Sequence, residues 1–337
     1  MKFGLLLICP EITGNPGRDF SEYLEQAVLA EELGYDSIWV TEHHSRFGVV
    51  GSPAVLLAAI AARTSRIRLG SMVAVLPYHS PRCVAEQYAL VDAISGGRLE
   101  LGVGRGNLRS ELQVHGVDPA ASRSAFWESL ATVRAHWGEG DGGATTRTFP
   151  TPVQRPIPIW VAANGIETAM TAIDLGLRVA TSPAGSGSLE AYVELVTEMH
   201  DAIRARGASA DRLEFPLVTM NTYVAPTAEQ ARGEFGEHAF AMHRLMREAD
   251  GRPPAAWSSE ELLSGELDRR ISLVSDPSSA ILFLEELRSR AGVRHFVAAT
   301  AQGGLPHDRV VGSMELFAKQ VMDVMRSREA APSALIA

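Results

Sequence analysis

Apolar runs alternate with amphipathic stretches along the chain, and this alternation predicts strands and helices in turn. The run 3–10 is continuously apolar, which is typical of a strand buried on both faces of a parallel sheet. Further strands are predicted at 35–41, 67–75, 98–103, 157–163, 177–181, 215–225 and 293–299. The predicted helices are 19–33, 52–63, 80–97, 122–137, 166–175, 189–206, 227–249, 277–291 and 306–326. The first helix is expected to open on a capping box formed by Asp19 and Glu22.

Eight strands, each followed by a helix, predict an α/β fold and specifically a (β/α)8 TIM barrel. The chain has 337 residues, more than the roughly 250 of a plain barrel, so loop insertions are expected. The aperiodic segments 138–156 and 250–270 are the predicted insertions, and 327–337 is predicted to be a loose tail. We expect a single domain over 1–337. A doubly wound sheet is disfavoured because its glycine fingerprint is missing at the first turn, 10–16.

The composition narrows the range of partners. A net charge of −9 without a long basic run argues against nucleic acid or an anionic membrane surface as the main partner. Cys9 and Cys83 are the only cysteines, which is too few for a disulfide framework and favours a cytoplasmic protein. Since no apolar run reaches membrane length, and the start 3–9 is too short for a signal peptide, no membrane association is expected.

The strand 98–103 leads directly into Gly104-Arg105-Gly106, at the end of a strand where barrel active sites lie. A guanidinium group can hold a phosphate or carboxylate through two parallel hydrogen bonds, and the flanking glycines allow a ligand close to the backbone. A dinucleotide fingerprint is the alternative, but its third glycine would come one place too early and no clean helix start follows. We therefore expect Arg105 to bind an anion.

The next strand ends in Ala163-Asn164-Gly165, and a predicted helix follows at once. Free amides at a helix start, with the hydroxyl of Thr168, form a suitable seat for a phosphate. Because the two strands are neighbours in a barrel, Arg105 and this helix start could hold one phosphate between them. The alternative is that Asn164 only caps its helix while Arg105 pairs with Glu111 or another surface carboxylate.

The second strand ends in Glu42-His43-His44, the candidate for acid–base chemistry because histidine titrates near neutral pH. Adjacent strand residues point to opposite faces, and no accompanying ligand spacing supports a metal site. The alternative is one histidine bonded in the core and the other at the rim. Tyr78 and His79 follow the third strand and could face a substrate or form a pocket wall, whereas Cys83 is expected to be inert packing.

The segment 250–270 mixes helix breakers, charges and isolated apolar side chains such as Trp257, and shows no element of its own. A loop of this length at the active face of a barrel is usually functional or disordered. We expect a mobile lid over the site, with a solvated insertion as the alternative.

Several motifs in matching order resemble the bacterial luciferase family of flavin-dependent monooxygenases, specifically its catalytic α-type chain. The resemblance extends from Met1 to about Arg326. The motifs are Met1-Lys-Phe-Gly4, Gly34-Tyr-Asp-Ser-Ile-Trp-Val-Thr-Glu-His-His44, Phe47-Gly-Val-Val-Gly-Ser-Pro53, Gly70-Ser-Met-Val-Ala-Val-Leu-Pro77, His79-Ser-Pro81, Gly104-Arg-Gly106 and Pro158-Ile-Trp-Val161. A set of motifs at matching spacing is far more specific than any one of them.

The resemblance implies a TIM barrel that binds reduced FMN as a cosubstrate and forms a flavin C4a-peroxide with O2. One oxygen atom would then pass to a small organic acceptor. By position, His43 is the catalytic histidine, and we expect the adjacent Glu42 to hold it. Met72-Val73 falls where the family often has a non-prolyl cis peptide under the flavin ring. The cofactor-binding positions would be Met72, Val73, Arg105, Gly106, Asn107, Leu108, Ala163, Asn164, Gly165, Thr168 and Ser182.

The resemblance also implies a separate NAD(P)H-dependent flavin reductase as partner, because the chain contains no reductase module, and a homo-oligomer, expected as a dimer. Two departures from the family pattern lie on the acceptor side. Gly104 replaces a reactive cysteine, and the loop after His44 is one residue shorter, which argues against luminescence and a long-chain aldehyde. Hydride transfer with a deazaflavin on the same barrel, or a non-catalytic flavin-binding subunit, are the alternative functions.

Overall fold

The protein is described by a computed structural model covering residues 1–139, 148–207, 216–254 and 256–330. Its strands are β1 (Lys2–Leu7), β2 (Ser37–Val40), β3 (Arg68–Ser71), β4 (Ala74–Val75), β5 (Leu99–Gly104), β6 (Ile159–Ala162), β7 (Arg178–Thr181), β8 (Leu217–Val224), β9 (Ser272–Ser275) and β10 (His295–Ala299). They run parallel in the order β10-β1-β2-β3-β5-β6-β7-β8, and β8 pairs with β10 to close the ring. This closed eight-stranded barrel confirms the predicted (β/α)8 fold. β4 continues the line of β3 beside β5, and β9 pairs with the carboxyl-terminal half of β8.

The helices surround the barrel and follow the strands in sequence. They are α1 (Pro16–Glu32), α2 (Pro53–Ala61), α3 (Pro81–Ser95), α4 (Arg109–Val114), α5 (Ser122–His136), α6 (Ile166–Asp174), α7 (Pro183–Ser186), α8 (Leu189–Ala205), α9 (Ala228–Ala249), α10 (Ser259–Asp268), α11 (Pro277–Ala291), α12 (His307–Phe317) and α13 (Asp323–Ala330). A π-helical turn, Ala318–Met322, joins the last two. The predicted loose tail is therefore wrong for 327–330, while 331–337 lie outside the described residues. Of the predicted insertion 138–156, positions 140–147 also lie outside them.

The first helix begins earlier than its predicted capping box. Asn15 is the N-cap of α1, and its side chain accepts a hydrogen bond from the Arg18 amide. Asp19 instead turns back to the preceding loop, where it accepts hydrogen bonds from the amides of Ile12 and Thr13. The capping box at Asp19 is therefore wrong, because its carboxylate satisfies loop amides rather than the start of a helix.

The segment 250–270 contains a helix that the sequence analysis missed. α10 starts at a capping box in which the Ser258 side chain and Glu261 bond reciprocally to each other's backbone amides, and it packs against α9. The short strand β9 follows directly. The prediction that this segment has no element of its own is therefore wrong, since the box that starts α10 lies within it.

The barrel interior is filled near the amino-terminal ends of the strands, called its lower half here, and open near their carboxyl ends. Trp39 and Trp160 point inward from β2 and β6 and meet edge to face, with ring centroids 6.1 Å apart. Beneath them, Glu100 accepts hydrogen bonds from the Trp160 indole at 2.7 Å and from Arg68 at 2.6 Å. Above them, the inward positions of β5, β6 and β7 carry only small side chains, namely Gly104, Ala162 and Ala180. This change in side-chain size leaves space at the carboxyl ends of the strands.

Helix α9 lies against that open end of the barrel. Its Met242 belongs to the cluster of apolar side chains inside the barrel, together with Leu6, Ile8 and Ala299. The loop after β10 touches α9 so closely that a Cβ on Gly303 would lie 2.0 Å from the His238 carbonyl oxygen. No helix in the described part of the chain has the length and apolar character needed to cross a bilayer.

Candidate active site

A cavity of about 470 Å³ opens at the carboxyl ends of the strands. Its lining contains all but one of the predicted site residues: Glu42, His43, Met72, Val73, Arg105, Gly106, Asn107, Ala163, Asn164, Gly165, Thr168 and Ser182. The exception is Leu108, which is buried at the start of α4 and is not part of the lining. A second cavity, of about 590 Å³, lies at the opposite end of the barrel beside Lys2 and His295. Apart from Leu108, the predicted residues therefore share a single pocket at the face where barrel enzymes hold their substrates.

Arg105 lies exposed at one end of this cavity, where it donates a hydrogen bond to the Ser122 hydroxyl at 3.1 Å. Ser122 is fully buried at the start of α5 and in turn donates to the Pro119 carbonyl oxygen at 2.9 Å. Within the described ranges no carboxylate pairs with Arg105, and the alternative partner Glu111 binds histidines instead. A guanidinium with one anchored nitrogen and further free donors is suited to an anionic ligand.

The start of α6 faces the same cavity from the neighbouring strand. Gly165, not Asn164, is the N-cap residue, and no side chain in the described ranges caps this helix. A Cβ on Gly165 would meet no atom within 4 Å, so the backbone amides there are open to a ligand. Asn164 packs against Gly185 of α7, where an added Cβ would lie 2.2 Å from its Nδ2. The alternative that Asn164 merely caps its helix is therefore wrong.

The peptide between Met72 and Val73 is cis, as the resemblance predicts. It interrupts the strand that β3 and β4 share, because Gly70 pairs with Glu100 whereas Ala74 pairs with Val103. From Gly70 to Ala74 the chain advances four residues while β5 advances three, from Glu100 to Val103, which is the geometry of a bulge. Both residues of the bulge line the cavity. Ser182, at the end of β7, lines it as well.

Glu42 is fully buried and lies at the centre of a hydrogen-bond network. His79 Nε2 lies 2.6 Å and His44 Nε2 3.2 Å from its Oε1, and the Val75 amide donates to Oε2 at 2.7 Å. Burial by itself would raise the pKa of Glu42, but these hydrogen bonds outweigh it and hold the pKa below its ordinary value. The bond to Glu42 raises the pKa of His44. His79 is thus occupied by Glu42, and neither it nor Tyr78 lines the cavity.

The partner of His43 is Glu111 rather than the adjacent Glu42. His43 Nδ1 lies 3.4 Å from Glu111 Oε2, and the other carboxylate oxygen accepts the His44 amide at 2.9 Å. Burial would raise the pKa of Glu111, but the hydrogen bonds from His43 and the His44 amide lower it, so the carboxylate is ionised. Our expectation that Glu42 holds His43 is wrong, because neighbouring residues direct their side chains to different sides of the strand end.

The cavity also contains residues that the sequence analysis missed. Glu111 comes from α4, and Arg123, Phe126 and Trp127 come from α5. Thr219, from β8, completes the inner wall. Cys83 lies exposed on the first turn of α3 and takes no part in the cavity. The expectation that it is packed inside the protein is therefore wrong. The described residues contain no cluster of three or more His, Cys, Asp or Glu side chains suited to a metal ion.

Residues 1–295 match the sequence model of the family of luciferase-like monooxygenases. The chain belongs to this family. Its relatives include 4-hydroxyprotoasukamycin monooxygenase of Streptomyces nodosus subsp. asukaensis, which is 28% identical across 91% of this chain and 87% of the relative. The oxygenase component of flavin-dependent trigonelline monooxygenase from Acinetobacter baylyi is 30% identical across 69% of this chain and 67% of the relative. The chain is therefore an oxidoreductase of the luciferase-like type, and its named relatives are monooxygenases.

Solved structures agree with this assignment of family. Monooxygenase RslO1 of Streptomyces bottropensis has a TM-score of 0.83 at 27% identity, covering 96% of this chain and all of that one. Two more distant structures establish the fold alone. They are an FMN complex of the oxygenating constituent of 3,6-diketocamphane monooxygenase from Pseudomonas putida (TM-score 0.74, 20% identity, 100% of this chain and 99% of that one) and an F420-dependent secondary alcohol dehydrogenase (TM-score 0.70, 18% identity, 96% and 98%).

Proposed function

We propose that the chain is the oxygenase component of a two-component monooxygenase, which uses reduced FMN and O2 to insert one oxygen atom into a small organic acceptor. The observation that carries this proposal is the presence of Arg105 and the open start of α6 in one cavity. Arg105 retains free donors after its bond to Ser122, and the amides of α6 add partial positive charge. Both features support a terminal phosphate at this end of the cavity.

The residues of the cavity fit FMN in size and in chemistry. About 470 Å³ lies within the range of small-molecule sites, and the anion-binding groups are confined to one end. In this proposal Arg105, Asn164, Gly165 and Thr168 hold the phosphate, while Met72, Val73 and Ser182 contact the ring. Gly106, Asn107 and Ala163 contact the rest of the cofactor, whereas Leu108 supports the loop from behind the lining.

Reduced FMN, when bound, supplies the electrons that activate O2 for transfer of one oxygen atom to the acceptor. The chain's own contribution is to exclude water and to manage a proton. His43 holds Nδ1 against the ionised Glu111, and its Nε2 has no partner among the described residues. Glu111 thereby orients the ring and favours a proton on Nδ1, which leaves Nε2 to exchange a proton in the cavity.

We propose a separate NAD(P)H-dependent flavin reductase as the source of reduced FMN. The name of the trigonelline relative, an oxygenase component, supports this arrangement. A homodimer and a cytoplasmic location stay predictions.

The proposal is tested by adding oxidised FMN, anaerobically reduced FMN, riboflavin or a deazaflavin cofactor to the purified protein and measuring the dissociation constant of each. We expect the protein to bind FMN, preferring the reduced form, and to bind riboflavin at least ten-fold more weakly because its phosphate is missing. Tighter binding of the deazaflavin than of FMN would favour hydride transfer and contradict the proposal. Failure to bind any of the four would leave only the family assignment.

A further inference from the structure

The chain that follows the bulge Met72–Val73 has a neighbouring strand on one side only. β3 pairs with β2 as far as Ser71, and the Met72 amide then donates to the Val40 carbonyl oxygen at 2.8 Å. Beyond the bulge, β4 pairs with β5 and with no other strand in the described part of the chain. The side of β4 that faces the end of β2 therefore needs another partner for its backbone.

A side chain from the end of β2 provides that partner. Glu42, two residues beyond β2, accepts the Val75 amide on Oε2 at 2.7 Å, and its Oε1 lies 2.6 Å from His79 Nε2. Val75 belongs to β4, and His79 directly follows the short 3₁₀ turn Leu76–Tyr78. One carboxylate thus binds both ends of the segment 75–79, in the place where a strand ladder is missing.

The end of β2 that carries Glu42 is itself well anchored. The Thr41 amide donates to the Leu7 carbonyl oxygen at 3.1 Å, and the His43 amide donates to the Val50 carbonyl oxygen at 3.1 Å. Although Glu42 borders the cavity, its side chain is fully buried and both of its oxygens are occupied. A carboxylate in this state is suited to hold its partners in place rather than to exchange a proton with a ligand.

On its other side, the bulge packs closely on β5. A Cβ on Gly104 would lie 2.7 Å from Cγ2 of Val73, so Val73 lies directly against the backbone of that strand. Met72, Val73 and Val75 all line the cavity. The contact with Gly104 on one side and the bonds to Glu42 on the other together set the position of these three residues.

We propose that Glu42 is a positioning residue for the flavin ring, because through the Val75 amide it holds Met72 and Val73 where the ring lies against them. The inference rests on the proposed function for the identity of the bound molecule as a flavin. What the amide needs is an oxygen that accepts its hydrogen bond, and glutamine keeps such an oxygen whereas leucine does not. Since FMN and riboflavin have the same ring, release of the amide should weaken both equally.

The test measures two quantities in the full chain and in its variants Glu42→Gln and Glu42→Leu. Hydrogen–deuterium exchange of the Val75 amide is followed without ligand, and the dissociation constants of FMN and riboflavin are measured by fluorescence titration. In Glu42→Leu we expect the amide to exchange at least ten-fold faster and both flavins to bind about three- to ten-fold more weakly, the range of one net hydrogen bond. Glu42→Gln should keep the slow exchange and bind both flavins within about two-fold of the unmodified chain.

Thr41→Val is the matched control. Thr41 is the adjacent buried residue, and its hydroxyl donates to the Ile8 carbonyl oxygen at 3.2 Å, on the side of β1. This variant loses one buried hydrogen bond but keeps the contacts of Glu42, so the exchange rate and both dissociation constants should stay unchanged.

Faster exchange without lost riboflavin affinity, or lost affinity without faster exchange, would overturn the proposal in either variant of Glu42. A loss confined to FMN would place the effect at the phosphate and would also refute it. If Glu42→Leu does not fold, Glu42→Gln still decides, because lost riboflavin affinity with a protected amide would mean that the flavin needs the charge of Glu42 and not its bond to Val75. Since flavin binding to the unmodified chain is measured separately, a chain that binds FMN equally well with and without Glu42 refutes this inference and leaves the proposed function intact.

Discussion

Replacing Arg105 with alanine is the most direct test of the phosphate seat. The Arg105 guanidinium makes one hydrogen bond, to the uncharged Ser122 hydroxyl. The other donors of the guanidinium and its positive charge are therefore available to a ligand. Truncation to Ala removes those donors and leaves the buried Ser122 hydroxyl bonded to the Pro119 carbonyl oxygen. The variant should therefore lose ligand contacts without leaving a buried polar group unpaired.

The expected loss follows from the type of contact. A hydrogen bond to a charged group contributes about 1.5 to 3 kcal/mol, which corresponds to a ten- to 150-fold weaker binding of FMN. Riboflavin has no phosphate, so its dissociation constant should change less than two-fold. Flavin fluorescence, measured during titration with protein, gives both constants under the same conditions. Raising the salt concentration should reduce the difference between wild type and variant, since the site is exposed to solvent.

Arg109→Ala is the matched control, because Arg109 is exposed nearby on α4 and does not line the cavity. It should leave both dissociation constants unchanged. The reasoning fails if Arg105→Ala weakens FMN and riboflavin equally, or if Arg109→Ala has the same effect as Arg105→Ala. Either result would mean that net positive charge or altered folding, not contact with a phosphate, is responsible.

Two further predictions concern the histidines. His43→Ala should keep the affinity for FMN but lower product formation by about 10² to 10⁴, with O2 recovered as hydrogen peroxide; normal turnover would show that another group handles the proton. Glu42→Gln removes a carboxylate that stabilises the fold in two ways. The pKa of Glu42 itself is lowered in the folded protein, which stabilises the fold above pH 4.5, and this stabilisation is lost as pH falls. The contact of Glu42 also raises the pKa of His44, which stabilises the fold below pH 6.5, and this stabilisation is lost as pH rises. Urea unfolding should therefore show the largest deficit of the variant between these two values, and a pH-independent deficit would contradict the assignment.

The sequence predicts the barrel and one end of its site because both depend on residues at strand ends. Arg105 follows β5 directly and Asn164 lies two residues beyond the end of β6, and neighbouring parallel strands end at the same edge. In a barrel, their proximity follows from the fold alone, without any knowledge of side-chain positions. The small residues Ala162 and Ala180 also lie at strand ends, where larger inward side chains would fill the cavity.

Residues contributed by helices could not be located in the same way. Glu111 and Trp127 lie well beyond the end of β5, and their place at the cavity depends on how α4 and α5 pack. The sequence suggested Glu42 as the partner of His43 because the two are adjacent, but adjacency along a strand separates side chains. The helix α10 is a different case, because the Ser258–Glu261 capping box that starts it is a signal carried by the sequence itself.

The tryptophans around the cavity give the protein an internal optical probe. Trp39 and Trp160 lie beneath the floor of the cavity, and Trp127 stands in its lining. Indole emission overlaps the absorption of an isoalloxazine ring, so a flavin bound here would quench these tryptophans by energy transfer. Of the remaining two tryptophans, Trp137 and Trp257, neither lines the cavity. Stopped-flow recording of the intrinsic emission would then follow cofactor arrival in the unmodified protein, without a label and before any acceptor is known.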